Sequence, residues 1–163
     1  MNFVMDLAVR DFLELHAESR MVADADQVIA RILDAANALA GESFAPTTPV
    51  TSLSGGQSRA LMIADTAILS RSPIVLIDEI ENAGIDRRRA LDLLLSEEKI
   101  VLMATHDPVL ALMGQKRLVI RNGGIHQVID TSDEERRILA ELTVMDRRTQ
   151  ELRNQLRQGE RLS

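Results

Sequence analysis

The sequence predicts an α/β fold with parallel strands, a terminal β-hairpin, helices at the N-terminus and a long helix at the C-terminus. Three observations carry that reading. Ile74-Val75-Leu76-Ile77 and Ile100-Val101-Leu102-Met103-Ala104 are apolar runs without alternation, the pattern of strands buried on both faces of a parallel sheet. Segments with apolar residues at helical spacing lie before and between them. Towards the end, Leu118-Val119-Ile120 and the run 125–129 flank Asn122-Gly123-Gly124, a hairpin signal.

At 163 residues the chain suggests one domain. Apolar residues make up 45% of it, with three Phe and no Tyr or Trp, so the core must be aliphatic. A net charge of −6 argues against a broad basic surface, and nucleic acid is not an expected partner. The clusters Arg87-Arg88-Arg89, Arg136-Arg137 and Arg147-Arg148 fall on predicted helices and read as solvated faces. With no Cys there is neither a disulfide nor a Cys-based metal site. No segment reaches the length of a membrane span, and the N-terminus lacks the pattern of a signal peptide, so a cytoplasmic location is expected.

Taken in order, Val9, Phe12, Leu13 and His16 fall at helical spacing. A second helix runs from Asp24 or Asp26 to Leu39, with Val28, Ile32, Ala36 and Leu39 as its stripe and Gly41 as a stop. Pro46 and Pro49 make 42–52 a loop. Ser54 is a good N-cap for a helix over about 55–70. After the strand 74–78 and a loop containing Gly84, Asp86 can cap a helix to about Ser96 with Leu91, Leu94 and Leu95 inward. A short helix starts at Asp107 with Pro108 in its first turn. The tail, 132–158, reads as one charged helix opened by a capping box of Ser132 and Glu135. Ile138, Leu142, Met145, Thr149, Leu152 and Leu156 form a heptad seam, expected to pack on its own domain rather than on another chain.

The chemistry-bearing residues sit at three places. Ser54-Gly55-Gly56-Gln57 has a capping serine, two residues without side-chain bulk, and the positive end of a helix dipole, which suits a phosphate. Asp78 and Glu79 close the first apolar run, and His106 follows the second, at the strand ends where open α/β sheets bind ligands. Each has a plain structural reading alone: a capped helix, a strand-end acidic pair, a half-buried His. His16 and His126 read as structural or surface residues.

Together, in this order and spacing, the three resemble the ATP-binding-cassette (ABC) ATPases. Leu53-Ser54-Gly55-Gly56-Gln57 matches the family signature letter for letter, Ile74 to Glu79 looks like Walker B with its catalytic Glu, and His106 falls where the switch His lies. The resemblance covers roughly Leu7 to Ile129. It implies a partial P-loop NTPase fold of the ABC type: residues 1–52 as part of the helical subdomain and the loop to the signature, 53–130 as part of the catalytic core, and 131–163 as a C-terminal amphipathic helix. It implies ATP and Mg²⁺, with Ser54, Gly55, Gly56 and Gln57 contacting a nucleotide held by a second cassette in a head-to-tail dimer. Asp78 would hold Mg²⁺ through a water, Glu79 would act as general base, His106 would reach the γ-phosphate, and Asp86 would be the D-loop Asp.

The chain departs from the family pattern in two ways. Ile80 stands where a Pro is usual and the loop to Asp86 is one residue longer, which weakens that last assignment. Its two lysines, Lys99 and Lys116, follow Glu98 and Gln115, so there is no Gly-Lys pair and no Walker A. The chain alone is therefore expected to be inactive and to need a P-loop-bearing N-terminal segment, whose absence exposes strand edges and apolar faces. Transport through a membrane subunit, with the chain peripheral to the membrane, is the family's commonest use. Two alternatives stand beside it: a soluble ABC ATPase of the DNA-repair or chromosome-maintenance type, and a degenerate cassette kept as a binding or regulatory module.

Overall fold

Helices α1 (Val9–Ser19), α2 (Ala25–Leu39) and α3 (Gly55–Ile68) form the main apolar cluster. The structure, a computed structural model, describes residues 6–78, 80 and 84–161. The chain divides into two compact units, Met1–Ala104 and Thr105–Ser163. In the first, Val9, Leu13 and Ala17 recur every fourth residue and are fully buried. α2 contributes Ile29, Ile32, Leu33, Ala36 and Leu39. Val28, expected in that stripe, is only half-buried; Ile29 takes the central place. α3 packs against α2, with Leu61 and Ala64 in the shared core, and buries the small Ala60 and Ala67 as well.

The loop between α2 and α3 is held at both ends. Val9 N donates to Thr48 O at 2.9 Å and Val50 N to Leu7 O at 2.8 Å. Asn37 grips the backbone of Phe44, accepting from its N–H at 2.9 Å and donating to its carbonyl at 3.2 Å. Phe44, Val50 and Leu53 then enter the core, so the approach to the signature is fixed by packing as well as by hydrogen bonds.

Strands β1 (Ile74–Asp78) and β2 (Ile100–Ala104) pair in parallel, Ile74 opposite Ile100 and Asp78 opposite Ala104. Lys99 Nζ donates to the carbonyls of Ser70 (2.5 Å) and Ser72 (3.0 Å), tying the entry of β2 to that of β1. Burial on both faces, expected from the unbroken apolar runs, does not hold. Val75, Ile77, Val101 and Met103 are half-buried, while Ile74, Leu76, Ile100 and Leu102 are 49–76% exposed. The pleat sends alternate residues to opposite faces, and no layer of described residues covers the second face. Helix α4 (Arg87–Ser96) buries Ala90, Leu91 and Leu94. Leu95, expected inward, is exposed: it lies one residue, about 100°, round the helix from Leu94.

The second unit holds α5 (Pro108–Met113), the antiparallel hairpin β3 (Lys116–Arg121) and β4 (Gly124–Asp130), and α6 (Asp133–Arg157). Asn122 and Gly123 have φ of 50° and 76°, the left-handed pair that a two-residue hairpin turn requires. The capping box of α6 forms as expected: Glu135 N donates to Ser132 Oγ at 3.2 Å and Ser132 N to Glu135 Oε2 at 2.9 Å. Arg117 on β3 pairs with the same carboxylate, which these donors hold below the usual carboxylate range. Of the heptad seam of α6, expected to pack on its own unit, Leu142 and Leu152 are half-buried and Ile138, Met145, Thr149 and Leu156 are exposed. A half-buried stripe also runs beside it, through Leu139, Thr143, Asp146 and Gln150.

Candidate functional site

Ser54 ends the extended segment before α3, with φ −61° and ψ 161°, and builds a complete capping box with Gln57. Gln57 N donates to Ser54 Oγ at 3.3 Å, and Ser54 N to Gln57 Oε1 at 2.9 Å. The same glutamine donates from Nε2 to Glu42 O at 3.2 Å, which anchors the turn to the preceding loop. The box employs the amides at the two ends of the Ser54–Gln57 turn. The amides of Gly55 and Gly56 lie outside it, and the Ser54 hydroxyl, acting there as an acceptor, retains its own hydrogen for donation. A Cβ built on Gly55 would meet nothing within 4 Å, so the turn is open to an approaching anion.

Gly84, ahead of α4, lies against this turn. Gly84, with φ +65°, comes so near that a Cβ on it would stand 3.7 Å from Gly56 Cα. Ile85 bridges to Ala40, and Asp86 N donates to Leu39 O at 3.1 Å. The signature turn, the end of α2 and the residues leading into α4 are thus stitched together. Asp86 caps α4, its carboxylate accepting from Arg89 N at 3.1 Å and standing 3.4 Å from Arg89 Nε.

Asp78 is exposed at the C-terminal end of β1. Glu79, the expected general base, lies outside the described residues, as do Glu81, Asn82 and Ala83; Ile80, in place of the usual Pro, is buried. His106 belongs to the second unit and is exposed; the neighbouring Asp107 caps α5, accepting from Val109 N at 2.8 Å and Leu110 N at 3.2 Å. Ser54 to Gln57 and the residues around Asp86 are therefore brought together within the first unit.

The described residues fit a phosphate and do not by themselves fit a divalent cation. Two backbone amides, a hydroxyl and a helix N-terminus converge at Ser54 to Gly56. For Mg²⁺, Asp78 is the one carboxylate described at the strand tip, and no group of three His, Asp or Glu that could hold a metal occurs among the described residues.

Several supporting contacts carry no sequence signature: the Asn37 clamp, the Gln57–Glu42 bond and the approach of Gly84 to Gly56. Another is His16, whose Nδ1 stands 3.1 Å from Asp65 Oδ2 and whose ring lies 4.3 Å from that of Phe12. Asp65 is buried on α3, and its other oxygen has no partner. The helical spacing of Phe12 and His16 pointed inward; nothing in the sequence named Asp65.

No family model matches the chain. It is 49% identical over all 163 residues to an uncharacterized ABC transporter ATP-binding protein of Methanocaldococcus jannaschii, covering 62% of that protein. It is 38% identical over 84 residues, 48% of its own length, to an uncharacterized ABC transporter ATP-binding protein of Haemophilus influenzae, covering 35% of that one. The chain thus spans less than two thirds of the length of each. No helix among the described residues is long and apolar enough to cross a membrane. Near one-half identity along the whole chain, together with a glycine turn capped by its own serine and glutamine at the head of a helix, makes this chain similar to part of an ABC transporter ATP-binding protein.

Proposed function

We propose that the chain is the signature- and Walker B-bearing part of an ABC ATPase that couples ATP hydrolysis to transport by a membrane subunit. The observation that carries this is the construction of Ser54 to Gln57: a capped helix start whose remaining amides and hydroxyl face open space, backed by Gly84. In this reading the fold is a partial P-loop NTPase core. The signature turn meets the γ-phosphate of a nucleotide held by a second cassette, and Asp86 enters that contact from the adjoining loop. Glu79 takes a proton from the attacking water and His106 donates to the γ-phosphate. Asp78 contributes one carboxylate towards Mg²⁺, which neutralises phosphate charge when bound. A P-loop-bearing segment, separate from these residues, grips the phosphates and covers the open face of β1 and β2. The printed names of both relatives support the reading of transport, and with it a position on the cytoplasmic side of a membrane.

The test is to purify the chain alone and together with a P-loop-bearing cassette segment, then measure ATP binding and phosphate release. The chain alone is expected to do neither. The pair is expected to release phosphate, and Glu79→Gln to return it to background. Release that is absent from the pair, or unchanged by Glu79→Gln, would count for a non-hydrolysing module instead.

A further inference from the structure

Helix α6 presents two neighbouring faces. Leu139, Thr143, Asp146 and Gln150 are half-buried, and α5 packs against this helix. Roughly a quarter-turn away runs the seam of Ile138, Leu142, Met145, Thr149, Leu152 and Leu156, in steps of four and three. Ile138 is 45%, Met145 66% and Leu156 58% exposed, although all three are apolar, and Leu142 and Leu152 are half-buried. Thr149 donates its hydroxyl to Met145 O at 2.9 Å, so its polar atom is satisfied within the helix and its methyl can enter an apolar layer.

We infer that α6 pairs with α6 of a second copy of this chain as an antiparallel coiled coil. Charge selects both partner and direction. The steps place Ile138, Met145 and Leu152 at d positions and Leu142, Thr149 and Leu156 at a positions. Glu141 and Arg148 are then the charged g residues, on the flank away from the half-buried stripe, and Asp146 and Arg153 are e residues. In a parallel pair, g meets e of the other copy: Glu141 faces Asp146 and Arg148 faces Arg153, both like-charged. In an antiparallel pair, g meets g. With Leu142 layered on Met145 and Ile138 on Thr149, Glu141 faces Arg148 of the second copy, and symmetry makes this contact twice. Sliding that pair by one heptad sets Arg148 against Arg148 and Asp146 against Asp146. In this register Ile138, Leu142, Met145 and Thr149 of the two copies form the layers without a charge conflict on the open flank, and Leu152 and Leu156 lie beyond them. Arg148 pairs within its own helix with Glu151 at 3.4 Å, both more than half exposed, a loose contact that exchange for Glu141 readily replaces. This pairing uses α6 alone and needs no nucleotide, so it is independent of the signature-mediated contact proposed above.

The full chain contains no Cys, so introduced thiols report only their own neighbours. Sedimentation without nucleotide is expected to show a dimer, and Met145→Asp, at an exposed position, to make it monomeric. When Leu142→Cys and Met145→Cys proteins are mixed and oxidised, the mixed disulfide should exceed either self-disulfide by about tenfold. Glu141→Arg or Arg148→Glu alone should weaken the dimer about tenfold, and the two together should restore it. A monomeric parent chain, a dimer that survives Met145→Asp, predominant self-disulfides, or a Glu141→Arg dimer tighter than the parent would each overturn the inference.

Discussion

Ser54 serves stability and phosphate contact by different atoms, so substitutions can separate the two. Ser54→Ala removes the acceptor for Gln57 N while leaving the reciprocal 2.9 Å bond from Ser54 N to Gln57 Oε1 intact. Loss of a side-chain N-cap costs about 1 kcal/mol, which lowers the melting temperature of a chain this size by about 3 °C. Ser54→Gly should cost only a few tenths of that energy, as glycine tolerates the cap conformation. Ser54→Asp is the informative case. Aspartate caps as well as serine and suits the positive helix end, so stability should stay within about 0.5 kcal/mol of the parent. Its carboxylate would nevertheless stand where a phosphate must arrive, so phosphate release with a P-loop-bearing partner should collapse. Thermal unfolding read by circular dichroism and a phosphate-release assay measure the two effects on the same samples. Equal melting losses for Ala and Asp would refute the capping role. Full phosphate release by a stable Ser54→Asp protein would refute the phosphate seat.

Four other substitutions test the frame beyond that turn. Gly84→Ala should cost about 1–2 kcal/mol in urea unfolding, because φ +65° strains an L-residue while the new Cβ, 3.7 Å from Gly56 Cα, meets only an ordinary contact. Ile32→Ala, at a fully buried position, should cost about 2–5 kcal/mol in the same assay, whereas Leu95→Ala, at an exposed one, should change stability by less than about 0.5 kcal/mol. Glu135 has its folded pKa lowered by Ser132 N–H and Arg117, so its stabilisation of α6 is complete above the ordinary carboxylate pKa and disappears as pH falls through the lowered value. Glu135→Gln should therefore be less stable at neutral pH and lack that acid-dependent loss, as followed by helical circular dichroism across an acid titration.

What the sequence revealed were features decided locally. The bounds of β1 and β2 were legible because each apolar run has abrupt polar ends, and the hairpin because Asn122-Gly123 can take positive φ at both positions. The capping boxes at Ser54 and Ser132 involve partners three residues apart. What it concealed were matters of phase and distance. Leu93-Leu94-Leu95 offers no polar marker to fix which leucine turns inward, and Val28-Ile29 poses the same ambiguity on α2. The Asn37 clamp on Phe44, the Asp65 contact of His16 and the closeness of Gly84 to Gly56 join residues 7 to 49 positions apart, which periodicity cannot register. An unbroken apolar strand likewise announces that both faces belong in a core without saying which residues cover them.

That last point bears on how the proposed enzyme is assembled. Ile74, Leu76, Ile100 and Leu102 together leave about two aliphatic side chains' worth of surface in water. Covering it would contribute about 5 kcal/mol, comparable with the whole net stability of a modest domain. A segment that supplied only a phosphate-gripping loop would be held by the nucleotide and released after hydrolysis. A segment that also covers this sheet face would be held by the apolar contact at every stage of the cycle. Conversion between nucleotide states would then fall to the signature turn, where the contact consists of two amides and a hydroxyl. A few hydrogen bonds can be made and broken on each turnover, whereas an interface of the sheet's size cannot.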